Sequence, residues 1–158
     1  MSTNLFNIIE LSNDEKEMIL KWRNNKNIRK WMYNSIPISK SSHFEFIDRL
    51  KFDEKNRYFL VKDDFLSIGV IYINNIDNKS ASLGLYTNPT LKGKGSILMD
   101  LIINYAFDNL SLKILYIEVF KENQKAIKLY KKFNFREVSS KIEKNIEVIC
   151  MELKNENR

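Results

Sequence analysis

Pro89-Thr90-Leu91-Lys92-Gly93-Lys94-Gly95-Ser96-Ile97-Leu98 joins a strand to the start of a helix through two glycines and two lysines. The strand, Ala81 to Tyr86, comes before it and is ended by Pro89, which has no N–H to donate to a ladder. Beyond the glycines, Ile97, Leu98, Leu101, Ile102, Tyr105 and Ala106 recur at helical spacing. The first amides of a helix have no intrahelical partners, and the peptide dipoles aligned behind them favour a bound anion. Glycine lets the main chain approach that anion, and Lys92 and Lys94 add positive charge. Such a turn suits a phosphate, although an ordinary glycine-rich loop has the same composition. It is not a P-loop, because no Gly-Lys-Ser/Thr follows the required spacer, and it lacks the third glycine of a dinucleotide fingerprint.

Upstream, Tyr58 to Val61 and Phe65 to Ile73 read as a hairpin about Lys62-Asp63-Asp64. Further back, capping boxes at Ser12-Asn13-Asp14-Glu15 and Ser42-His43-Phe44-Glu45 open two helices. The first turns Leu11, Met18, Ile19 and Trp22 inward, the second His43, Phe46, Ile47 and Leu50. Leu5 to Ile9 is a short strand, and Ile28 to Ile38 is irregular, carrying Trp31, Met32 and Tyr33 ahead of Pro37. Downstream come a strand at Ile114 to Phe120, a helix burying Ala126, Leu129, Tyr130 and Phe133, and strands at Phe135 to Ser139 and Ile146 to Leu153. The order β-α-α-β-β-β-α-β-α-β-β predicts an α/β (α+β) fold, a mixed central sheet flanked by helices. No repeat, low-complexity tract or linker interrupts it, so one domain over residues 1–158 is expected.

At 158 residues and 44% hydrophobic content the chain can bury a core. Its formal charge of +6 suits a phosphorylated metabolite, a nucleic acid or an acidic membrane, and equally a merely solvated surface. Most aromatic residues fall at core-facing positions instead of interleaving with cations on a surface, so no nucleic-acid partner is expected. Cys150 is the only cysteine, which excludes an intrachain disulfide; in the apolar run Ile146 to Leu153 it reads as a buried thiol. A single histidine and no Cys/His cluster predict no metal site. No apolar segment is long enough to span a bilayer and the first residues do not resemble a signal peptide, so a cytoplasmic monomer or homodimer without membrane partners is expected.

Two further features follow the strand Ile114 to Phe120: Asn123-x-x-Ala126 with Tyr130 four residues on, then Lys131-Lys132-Phe133-Asn134-Phe135. With the segment around Gly95, they resemble the GNAT family of acetyltransferases. The sequence departs from the family pattern in having Lys92 for Arg or Gln, Ile97 at the final small position and Asn134 for a glycine. Asparagine tolerates the left-handed backbone better than most residues, so the last change is physically sensible. The resemblance implies the acyl-CoA N-acyltransferase fold, with acetyl-CoA as cosubstrate and direct attack by an amine in a ternary complex. It implies that Lys92, Gly93, Lys94, Gly95, Ser96, Ile97 and Leu98 hold the pyrophosphate, largely through amides. Asn123 binds the cofactor or caps its own helix, and the main chain near Leu85 and Tyr86 polarises the thioester carbonyl. Tyr130 would protonate the leaving thiolate, whose thiol pKa near ~8.5 makes it a tolerable leaving group. Many members carry a glutamate base where this sequence has Ser82. The base role therefore passes to His43, to Glu118, or to a water held by Ser80 or Ser82; a histidine, ordinarily titrating near ~6.5, suits that task.

The strings Lys21-Trp22-Arg23-Asn24-Asn25, Ile28-Arg29-Lys30-Trp31-Met32 and His43-Phe44-Glu45-Phe46-Ile47 resemble the nucleotide-sugar branch of the family, the N-acetyltransferases of pseudaminic acid biosynthesis. That resemblance implies acetylation of the 4-amino group of UDP-4-amino-4,6-dideoxy-N-acetyl-β-L-altrosamine, on the route to a sugar that decorates flagellin. Trp31, Met32, Tyr33 and Phe46 would wall the deoxysugar methyl and the uracil, and Arg23, Arg29 and Lys30 would meet the diphosphate. The same residues serve equally as core aromatics and solvated cations. A protein N-terminus, as in ribosomal-protein acetylation, or an aminoglycoside is the alternative acceptor, though either favours an acidic groove and this third of the chain is basic. A non-catalytic CoA-binding module is more distant, since cofactor binding alone needs no acid at Tyr130.

Overall fold

Strands β4 (Ser80–Thr87) and β5 (Ile114–Phe120) run parallel over only three residue pairs, Ser80 with Ile114, Ala81 with Leu115 and Ser82 with Tyr116. Past Ser82 they diverge, and that divergence positions the site. The computed structural model describes residues 3–158. Its seven-stranded sheet has the order β1-β2-β3-β4-β5-β7-β6, with β1 at Thr3–Asn7, β2 at Arg57–Asp63, β3 at Leu66–Asn74, β6 at Arg136–Glu143 and β7 at Ile146–Lys154. Every neighbouring pair but β4–β5 is antiparallel.

A parallel pair needs a crossover, and the helix that follows the two glycines supplies it. Helix α4 (Gly95–Asn104) runs into a π-helical turn, Tyr105–Asn109. It packs on one face of the sheet with α5 (Gln124–Lys132), burying Leu98 and Ile102 against Ile71, Leu115, Ile117 and Met151. The opposite face is covered by α1 (Asn13–Asn24), the single turn α2 (Lys26–Arg29) and α3 (Lys40–Leu50). There Ile19, Trp22 and Ile47 close over Leu60 and Val70. Each such fully buried aliphatic side chain contributes roughly 1.5–3 kcal/mol of transfer free energy. The mixed sheet flanked by helices is thus the architecture expected.

Several boundaries differ. Ser12 caps α1 as expected, its Oγ accepting from the Glu15 amide at 3.2 Å. Helix α3 starts at Lys40, not after Ser42, because Ser39 takes the cap and accepts from the Ser42 amide at 3.2 Å. The chain reaches that cap under constraint: Asn24 of α1 accepts from the Ile38 amide at 2.7 Å and donates to its carbonyl at 2.8 Å. Strand β6 extends to Glu143 because Lys144 and Asn145 both adopt positive φ, closing a two-residue hairpin to β7. Asn134, at φ 73°, takes the left-handed conformation past the end of α5.

Candidate active site

Where β4 and β5 separate, a cleft of about 590 Å³ opens through the sheet. Leu83 to Thr87 form one lip and Ile117 to Phe120 the other. Main-chain groups on diverging strands lose the ladder partners they would otherwise have, and so face whatever fills the gap. Trp31 and Met32 stand at one end of the cleft, the turn Leu91 to Ser96 and the exposed side of α5 at the other.

The turn end is built mainly from backbone. Lys94 occupies the N-cap of α4 without a side-chain cap bond, and the Leu98 amide bonds its carbonyl at 3.2 Å. The amides of Gly95, Ser96 and Ile97 precede that bond, so they are the donors an anion can engage. Leu98 is therefore not among the donors, contrary to the sequence-based expectation: its amide is engaged in the helix and its side chain is fully buried. Ile97 offers only its amide, since its side chain packs against the core. Gly93, at φ 74°, turns the chain into α4. A Cβ on Gly95 would stand 2.9 Å from a Leu129 methyl, so this glycine sets how closely α5 approaches.

Sequence reasoning missed three lysines on α5, although they are spaced for one helix face. Lys125, Lys128 and Lys132 all line the cleft, and Lys132 Nζ donates to Ser96 Oγ at 3.3 Å. Lys92 and Lys94 line it as well. Asn123 caps α5, its Oδ1 accepting from the Ala126 amide at 3.3 Å, while also bordering the cleft. Tyr130 lines the cleft from α5, with Phe135 beside it at 6.3 Å between ring centroids. Among the described residues its hydroxyl has no hydrogen-bond partner. Burial pushes the phenol up to about 12, so it is protonated at neutral pH.

At the opposite end the structure rearranges several expectations. His43 does not face the cleft. Its Nε2–H donates to the Lys16 carbonyl at 2.8 Å, tying α3 to α1, and burial lowers its pKa. Ser82 lies in the last paired step of β4, one residue before the opening begins, and stays outside the lining. Phe46 packs edge-on against Tyr58 in the second core, away from the opening. Arg23 and Arg29 hold the loop after α2, Arg23 donating to the Asn34 carbonyl at 3.0 Å and Arg29 to those of Asn24 at 3.1 Å and Ser35 at 3.0 Å. Neither guanidinium lines the cleft. Lys30 sits over the Trp31 ring, 5.1 Å from its centroid.

Glu118 emerges instead. It is the only carboxylate lining the cleft among the described residues. Its carboxylate accepts from the Tyr33 hydroxyl and pairs with Lys141 Nζ at 3.1 Å. Partial burial opposes its charge, but Tyr33 and Lys141 together hold the carboxyl below the usual range. Tyr33 thus reaches the site through Glu118, and its ring packs edge-on to Phe120 at 5.7 Å. Burial first, then Glu118, raises the Tyr33 pKa. Among the described residues no three metal-ligating side chains come together, and no helix is long and apolar enough to cross a membrane.

Comparison with known proteins meets this geometry. Residues 6–136 match the acetyltransferase (GNAT) domain. The acetyltransferase PseH of Campylobacter jejuni subsp. jejuni serotype O:23/36 (strain 81-176) is 46% identical over 131 residues, 83% of each chain. The crystal structure of Campylobacter jejuni N-acetyltransferase PseH with acetyl coenzyme A superposes with a TM-score of 0.81 at 39% identity, covering 98% of this chain and 99% of that one. A spermidine N-acetyltransferase from Vibrio cholerae, solved with CoA and spermine, reaches a TM-score of 0.89 over 98% of this chain and 96% of its own. At 24% identity that last likeness speaks for the fold alone.

Proposed function

The chain belongs to the GNAT acetyltransferases and is an acetyl-CoA-dependent N-acetyltransferase; from that premise we propose that its acceptor is the 4-amino group of UDP-4-amino-4,6-dideoxy-N-acetyl-β-L-altrosamine. The reaction would belong to pseudaminic acid biosynthesis, in the cytoplasm, before the finished sugar reaches flagellin. Support comes from the 46% identity to PseH over 83% of the chain and from the likeness to the PseH structure, which covers 98% of it. Charge points the same way. Glu118 is the only carboxylate lining the cleft among the described residues, and one carboxylate matches a singly charged acceptor amine better than the several ammonium groups of a polyamine or an aminoglycoside. Trp31 and Met32 offer an apolar wall for a 6-deoxy methyl group.

The residues present fit the cofactor. Acetyl-CoA supplies an activated acetyl thioester. The amides of Gly95, Ser96 and Ile97 bind its pyrophosphate, with the lysines of α5 adding charge. Main chain at Leu85, where β4 remains paired with β3 but has parted from β5, donates to the carbonyl oxygen as negative charge develops there. Glu118, on the facing lip, docks the acceptor's ammonium and draws off its proton, directly or through water. Tyr130 gives its phenolic proton to the departing thiolate. What carries the reading is the placement of the Glu118 carboxylate and the protonated Tyr130 phenol on the same opening between β4 and β5.

A thiol-release assay with acetyl-CoA tests it, using the UDP-amino-sugar, spermidine, an aminoglycoside and a peptide with a free N-terminus. The sugar nucleotide should show the highest kcat/KM, with mass spectrometry locating the acetyl group on its 4-amino nitrogen. Release driven only by one of the other amines would reassign the acceptor.

A further inference from the structure

Tyr72, on β3, has no role in the mechanism above, yet it lines the same cleft. It pairs in register with Gly84 of β4, and a Cβ at Gly84 would overlap the end of the Tyr72 ring and its hydroxyl. No positive φ explains a glycine there. Space for the phenol does. The ring is clamped in place: Tyr58 stacks on it with centroids 4.9 Å apart, itself braced by Phe46, and Tyr86 lies 6.2 Å away on the other side. A side chain so constrained has little rotamer freedom, and its hydroxyl has no partner among the described residues.

The position of that hydroxyl is informative. Tyr72 packs with the core beneath α1 and α3, whereas Tyr130 belongs to the core beneath α4 and α5. The two phenols therefore flank the opening from opposite faces of the sheet, close enough that Tyr130 adds a Coulombic cost to charging Tyr72. Arg23 lies near enough to favour charge on Tyr72, and its own Nη1 is buried without a partner. With Tyr130 assigned to the sulfur, Tyr72 meets whatever enters from the α1–α3 side.

We propose that Tyr72 is a second catalytic tyrosine, its hydroxyl oxygen accepting a hydrogen bond from the acceptor amine and thereby aiming the nitrogen lone pair at the thioester carbon. The Tyr72 hydroxyl keeps its proton throughout. The C–N bond forms and the C–S bond breaks, the amine's proton leaves toward Glu118, and the thiolate takes the proton of Tyr130. The proposal rests on amine acetylation and not on which amine is the natural acceptor.

Tyr72→Phe preserves the aromatic stack and removes only the oxygen, so it separates chemistry from packing. Initial rates are compared on the UDP-amino-sugar, on spermidine and on methylamine at high concentration. The variant should lose roughly ten-fold in kcat on every amine the wild type uses, the scale of one hydrogen bond, with the KM for acetyl-CoA unchanged. Gly84→Ala, which pushes the ring aside, should lose at least as much, with thermal unfolding followed in parallel. A Tyr72→Phe enzyme that keeps its kcat within about two-fold overturns the proposal, as does a loss confined to the KM for acetyl-CoA. Wild-type turnover of methylamine without turnover of the sugar nucleotide would refute the acceptor assignment and leave the Tyr72 comparison standing.

Discussion

The two ends of the cleft are made of different material. The turn end draws on two short segments, residues 91–98 and 123–132, and much of its chemistry is main chain: the first amides of α4 and the cap of α5. The acceptor end gathers single side chains from places distant in sequence, Trp31 and Met32 after α2, Tyr72 on β3, and Glu118 on β5. A backbone site tolerates side-chain change. Lys92, Ile97 and Asn134 all depart from the family pattern, and the helix start and the left-handed residue after α5 form regardless. A side-chain site has no such tolerance, because each contact is one residue's own.

That contrast can be broken by substitution. Tyr130→Phe should have the largest effect, lowering kcat by about 10²-fold with the KM for acetyl-CoA unchanged; unaltered turnover would reassign the acid. Because the phenol is raised to about 12, its contribution to folding is complete below the ordinary 10.0 and is lost as pH climbs toward 12. The stability difference between wild type and Tyr130→Phe should therefore stay constant with pH below 10.0, and the wild type should lose stability relative to the variant as pH rises above it.

Glu118→Gln should follow, losing roughly ten-fold in kcat/KM for the acceptor while sparing acetyl-CoA. Since the wild-type carboxyl titrates below its usual range, the rising limb of the rate profile near neutrality should belong to the acceptor's ammonium. Acceptors of different basicity should shift that limb; a limb that stays put and disappears in Glu118→Gln would assign it to the carboxylate.

Replacing Lys128 and Lys132 together with alanine should raise the KM for acetyl-CoA by about three-fold, most at low salt, without touching the acceptor's KM. An acceptor effect would mean that the two ends share their charge.

His43→Ala should have the least effect on rate. Losing the bond to the Lys16 carbonyl should lower the Tm by about 2–4 °C with kcat intact. The depressed pKa means that this contribution is present above the ordinary value of 6.5 and is lost as pH falls through the folded value. A fall in kcat with no change in Tm would return His43 to the site.

Local signals served the fold well. The strand Ile114–Phe120 lies within its expected bounds, and Ser12 caps α1, because apolar alternation and capping oxygens act over a few residues. The start of α3 is not legible locally because two serines, Ser39 and Ser42, offer equivalent caps, and only the clamp of Asn24 on Ile38 chooses between them. The same limit governs the site. His43, Arg23 and Phe46 are the residue types an acceptor pocket would use, yet their partners lie on α1, the loop after α2, and β2.

The amino-acid order by itself determined the helix that follows the glycine turn and the helix that carries Tyr130, since apolar periodicity along one segment converts directly into a buried face. Which carboxylate and which second phenol face the gap was decided only by the divergence of β4 from β5. A strand's alternation says that a side chain leaves one face or the other; what stands on that face depends on distant segments packed beside it.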